Sequence, residues 1–121
     1  MAKKIKSAGL TRDQILSMDD APVEVIIKGF GTVFVKQVNS SDRLKLDQLL
    51  EQARGDEAKD RQLFEQIIAL GICDEEGTLL FSEKDIPKLA EKSFRLIQAL
   101  VLAVAKVNAI NNEAVEIAKG N

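Results

Sequence analysis

The stretch VEVIIKGFGTVFVKQV sets apolar against polar positions with a period of two. Val23, Val25 and Ile27 alternate with Glu24, Ile26 and Lys28, and Val33 and Val35 alternate with Phe34 and Lys36. β-Branched residues in that rhythm predict two strands, and Gly29 and Gly31, flanking Phe30, predict the turn of a hairpin. The period then changes. Leu46, Leu49, Leu50 and Ala53 fall at the spacing of one helix face, with Ser40, Ser41 and Asp42 offering caps before it. Gly55 and Asp56 interrupt the pattern, and a second helix is expected over residues 57–70 with Leu63, Phe64, Ile67 and Ile68 inward. Gly71 suits a left-handed helix stop, with Ile72 packing back onto Ile67.

The next stretch, CDEEGTLLFSEKDIPKLAEK, gathers six carboxylates around one glycine. An EF-hand needs oxygen ligands early in the loop, then a glycine, then a closing glutamate. Counting from Asp74 puts Leu79 in the glycine position, and counting back from Gly77 puts Ile72 in the first ligand position. Neither frame works. The stretch reads as an acidic turn bent at Gly77, followed by an extended piece over residues 78–81. Pro87 belongs in a first helical turn, where its missing N–H costs nothing. Asp85 is thus the preferred cap, preceded by a loose turn from Ser82. A long helix is expected over residues 86–107. Ile86, Leu89, Ala90, Ile97, Leu100, Val101, Val104 and Val107 gather on its inner side, and Lys88, Glu91, Lys92, Arg95 and Lys106 lie opposite. Its apolar arc covers about 200° at ~100° per residue, wider than the ~100° stripe of a surface helix. Phe94 and Leu96 lie at the two edges of that arc, and Leu102 lies in the polar sector. Either the domain packs on two sides of this helix, or a spare edge meets another polypeptide.

Two short helices complete the expectation. Thr11 followed by Gln14 matches a capping box at the start of TRDQILSM, and a last helix is expected over residues 111–119. The fold class is α+β: an N-terminal β-hairpin packed with a bundle of about four to five α-helices. Residues 1–20 read as a loosely attached arm carrying the short helix, and residues 21–119 as one α+β domain.

Composition narrows the chemistry. The 121 residues carry a net charge of −2, with 45% hydrophobic and 30% charged residues. That balance points to neither nucleic acid nor anionic lipid as a partner. Lys3, Lys4 and Lys6 form a small basic arm that reads as a solvated terminus. No apolar run approaches the roughly 18 residues of a membrane span, no secretory leader is visible, and Cys73 is the one cysteine. A reducing cytosol fits this usage. The chain has no His, Tyr or Trp, which removes Ser–His and Cys–His catalysis and the common zinc ligand sets. Gly-Phe-Gly resembles the start of a dinucleotide fingerprint, but Phe34 holds its third glycine position and no helix pattern follows. No enzyme activity, cofactor or metal is expected. A carboxylate-only site on Asp74, Glu75, Glu76 and Asp85 is the remaining catalytic alternative.

The order of features resembles the tail assembly chaperones of lambda-type phages with long, non-contractile tails. Asp74 and Gly77 stand in the family's acidic turn, Leu80, Phe81, Ser82 and Asp85 in its hydrophobic-Phe-Ser segment, and Leu89 in the following helix. The likeness covers residues 23–112. It implies a non-enzymatic protein of the host cell cytoplasm that binds the apolar, helical tape measure protein and keeps it soluble during tail assembly. It also implies contact with the tail tube protein through a longer, frameshifted form. A spare apolar helix edge adds self-association. On this reading Phe94, Leu96, Ala99, Leu102 and Ala103 face the partner. The alternative is a structural tail-completion or minor virion subunit.

Overall fold

A computed structural model describes residues 9–53 and 61–108. In chain order the elements are α1 (Arg12–Leu16), β1 (Val23–Ile27), β2 (Gly31–Val35), α2 (Ser40–Gln52), α3 (Leu63–Gly71), β3 (Ile72–Cys73), α4 (Ile86–Leu89) and α5 (Phe94–Val107). A 3-10 turn, Glu83–Asp85, leads into α4. The architecture is α+β; the described residues form a three-stranded antiparallel sheet in the order β1-β2-β3 and five helices. The expected helix over residues 111–119 lies outside the described residues.

The hairpin forms where the period-two pattern places it. Val25 pairs with Val33 and Ile27 with Gly31. Phe30 N–H donates to Ile27 C=O at 2.9 Å, and Gly29 takes φ +86°, as the third residue of a type II turn requires. Ile27 and Val35 are buried on the sheet face toward the helices, whereas Ile26 on the other face is 80% exposed. On α2, Leu46, Leu49, Leu50 and Ala53 are all buried. Its cap is Asn39, one residue before the candidates offered by sequence. The Asn39 side chain accepts from Asp42 N–H at 2.8 Å. The capping box at Thr11 and Gln14 is present in both directions, at 2.9 and 3.1 Å, yet α1 buries none of its residues.

Three boundaries depart from the sequence reading. Helix α3 begins at Leu63, because Gln62 adopts a left-handed conformation (φ 54°, ψ 43°) that a right-handed helix cannot pass through. Residues 57–60 of the expected helix lie outside the described residues. Gly71 is the last residue of α3 and not a left-handed stop. The chain turns straight into β3, and Gly71 is glycine for another reason: a Cβ there would stand 2.8 Å from both methyls of Val104 on α5. The long helix expected over residues 86–107 is two helices. The chain leaves helical geometry after Leu89, and Ser93 caps a new start by accepting from Leu96 N–H at 3.2 Å.

Helix α5 runs through the middle of the core, packing against α3 and the hairpin. Ile97, Leu100, Val101, Ala103, Val104 and Ala105 are buried along it. Asn108 closes its C-terminal end. Its side-chain oxygen accepts from Val38 N–H at 2.9 Å. Its amide donates to Lys36 C=O at 3.2 Å and to Val104 C=O at 3.0 Å. Arg43 on α2 donates to its backbone C=O at 2.9 Å. One buried polar residue thereby ties α5 to the segment between β2 and α2.

Candidate partner-binding surface

The acidic turn is a structural joint. Asp74 Oδ1 accepts from Glu76 N–H at 2.8 Å and from Thr78 N–H at 3.0 Å, and Gly77 takes φ +90° at the bend. The extended piece after it bridges back to β3, with Leu79 opposite Cys73 and Leu80 N–H donating to Ile72 C=O at 3.1 Å. Asp85 accepts from Ser82 N–H at 2.9 Å, which forms the loose turn expected before α4. Two of the four carboxylates of the catalytic alternative are therefore engaged by local backbone. Among the described residues, no group of three or more metal-ligating side chains comes together. Cys73 is buried, and burial, with Asp74 adding to it, raises its thiol pKa above the ordinary 9.0. A neutral thiol is a poor nucleophile.

Exposed apolar side chains occur on and beside α1 (Leu10, Ile15, Leu16, Met18), on β1 (Ile26) and at the start of α5, where two clefts flank the helix. Phe94 is 58% exposed. Its ring stands 6.2 Å from that of Phe64 on α3, tilted by 38°, within the range of favourable aromatic pairs. The two rings, with Ala90 and Ile97, line a cleft of about 500 Å³ whose rim carries Glu65 and Lys92. On the other side of the helix, Leu96 and Leu100 face Ile27, Phe30 and Val33 across a second cleft of about 310 Å³. Between them, the Arg95 guanidinium lies 4.7 Å from the centre of the Phe30 ring. A cation over an aromatic face at an exposed site contributes about 0.5–1 kcal/mol, and this one ties the hairpin tip to α5.

The five residues expected to face a partner do not form one patch. Phe94 and Leu96 line separate clefts. Ala99 and Leu102 line neither; both are half-buried and pack against the core. Ala103 is only 4% exposed and belongs to the core itself. Sequence reasoning missed Phe30 and Phe64 as cleft walls. The signal for Phe30 was there: a large aromatic between two glycines at a hairpin tip has little to bury it. A third cleft, about 690 Å³, was not foreseen at all. Leu49 of α2, Leu70 of α3, and Leu79, Phe81 and Ile86 of the following segment line it. Such a site exists only once three separate stretches meet.

The family model described as phage tail assembly chaperone, TAC, matches residues 10–108 of the 121. The chain belongs to the phage tail assembly chaperone family. No curated protein and no solved structure matches it. The family match runs from Leu10, just before α1, to Asn108, the residue that clasps α5. It thus takes in every described element of this tail assembly chaperone, the exposed α1 included. Among its described residues, no helix is long and apolar enough to cross a membrane.

Proposed function

We propose that this tail assembly chaperone binds and solubilises the tape measure protein while the tail is built, without catalysing a reaction of its own. The setting is the host cell cytoplasm and a long, non-contractile tail of the lambda type. The tail tube protein is a second partner, reached through a longer frameshifted form, and the chaperone self-associates. What carries this reading is Phe94, exposed at the start of α5 in the wall of an apolar cleft, with Leu96 lining a second cleft, in a member of this family. Clefts of this size accept single apolar side chains from one face of a helix, as in helix-in-groove recognition. Each Leu or Phe removed from water contributes about 1.5–3 kcal/mol, much of it offset by lost freedom on association. Several copies along an extended client would add their weak contacts into a reversible coat.

Of the residues assigned to the partner, Phe94 and Leu96 carry the surface, with Ala99 and Leu102 at its border. Co-expression with the tape measure protein tests the reading. The native chain should bring the client into the soluble fraction and co-purify with it. A client that stays insoluble beside the folded chain refutes it. Mass spectrometry of finished particles separates the alternative: a chaperone is absent, whereas a tail-completion or minor virion subunit is present.

A further inference from the structure

Strand β1 is an edge. The sheet order places it outermost, and its free side can be read from the ladder. Lys36 N–H donates to Gly71 C=O, on the β3 side of the chain leaving β2. Backbone groups of an antiparallel strand alternate sides, so Val35, Val33 and Gly31 turn theirs toward β1 and bond Val23, Val25 and Ile27. The N–H and C=O of Glu24 and Ile26 therefore point outward, and no hydrogen bond to them is found among the described residues. The side chains there are also uncovered: Ile26 is 80% and Val23 37% exposed. Edge strands are ordinarily blunted by charges or bulges. This one carries a single charge, Glu24, within its five residues.

We propose that β1 pairs with β1 of a second copy, antiparallel about a two-fold axis at Val25, to make one continuous six-stranded sheet. The register follows from the free groups. With Val25 opposite its own mate, Glu24 of each copy faces Ile26 of the other, and all four outward backbone groups of each strand are bonded. A shift toward the N-terminus would set the two Glu24 carboxylates opposite each other, which is repulsive. It would also set Ile26 opposite Pro22, which has no N–H. A shift the other way would bring Glu24 against Lys28, already inside the turn closed by Phe30 and Ile27. One register fits, and it is self-complementary, as a two-fold interface requires. A helical client has its backbone bonded internally and cannot complete this edge. The pairing deepens the self-association proposed above and rests on that part of the reading alone, since client capture is assigned to the Phe94 surface.

Light scattering on the size-separated full chain across a dilution series tests it. The native chain should show the mass of two chains. Ile26→Pro removes only an outward N–H and should show the mass of one, with an unchanged circular dichroism spectrum. Val25→Cys should link two copies through a disulfide under mild oxidation, because residue 25 meets itself in this register alone and Cys73 is buried. If Ile26→Pro disturbs the fold, the Val25→Cys link decides by itself. A native chain that stays single, an Ile26→Pro variant that associates as the native chain does, or a dimer that Val25→Cys does not link would each overturn the proposal. Client solubilisation, measured separately, is untouched by any of these results.

Discussion

Gly71→Ala separates the two readings of that glycine. In most helices the change would stabilise by about 0.5–1 kcal/mol, since Ala loses less backbone freedom. Here the new methyl would stand 2.8 Å from Val104 Cγ1 and Cγ2 and 3.3 Å from Val104 Cβ, whereas carbon atoms rest about 3.5–4.0 Å apart. Val104 is fully buried and, being β-branched in a helix, has one strongly preferred rotamer. It cannot swing away, so α3 and α5 must separate or the rotamer must strain. Overpacking of this kind costs about 1–3 kcal/mol, and after the helix gain a net loss of about 1–2 kcal/mol remains. With no Trp or Tyr in the chain, far-UV circular dichroism in urea is the suitable reporter. The midpoint should fall by roughly 0.5–1 M at unchanged slope. The sign should reverse in a Val104→Ala background, where the Gly71→Ala methyl meets open space, giving a coupling of about 2 kcal/mol. A raised midpoint for Gly71→Ala alone, or an equal loss in both backgrounds, would refute the close-approach explanation.

Two further outcomes follow from buried groups. Asn108→Ala should destabilise by about 2–3 kcal/mol, because Val38 N–H and Lys36 C=O lose their partner; a loss under 0.5 kcal/mol in the same urea titration would show that the clasp is dispensable. Cys73 should resist a thiol-specific reagent until the chain unfolds, and its raised folded pKa fixes the sign of its pH effect. The unfolded thiol ionises first, so stability is full below the unfolded pKa and falls as pH climbs through the folded one. Cys73→Ala should flatten that alkaline decline, and an identical decline in both proteins would exclude the thiol as its source.

Local signals were legible in the sequence where neighbours in the chain decide them. The hairpin, the capping box of Thr11 and Gln14, the inner face of α2 and the Asp74 turn are all settled within a few residues. What was not legible depends on distant partners. Gly71 looks like a helix stop until α5 lies across it. Asn108 acts across 70 residues of chain to Val38. The break before Ser93 contains no Gly or Pro, and apolar periodicity continues through it, so only the packing of α4 and α5 exposes it. The apolar clefts beside α5 were half legible for the same reason. Phe94 and Leu96 were marked as edges of the α5 stripe, but the clefts beside them are built by Phe64 and by the hairpin. The small residue Ala103 went inward because the helix is enclosed more widely than its polar sector suggested.

The central claim is that the apolar surface at the start of α5 receives the client. Light scattering by tape measure protein diluted out of denaturant tests it most directly, with the native chain and Phe94→Glu added in parallel. Phe94 is more than half exposed, so the variant should stay folded, its melt lowered only by the loss of the Phe64 ring contact; the native chain should suppress scattering and Phe94→Glu should not. Equal suppression by both would contradict the assignment of this surface, and failure of the native chain to suppress scattering would contradict the function.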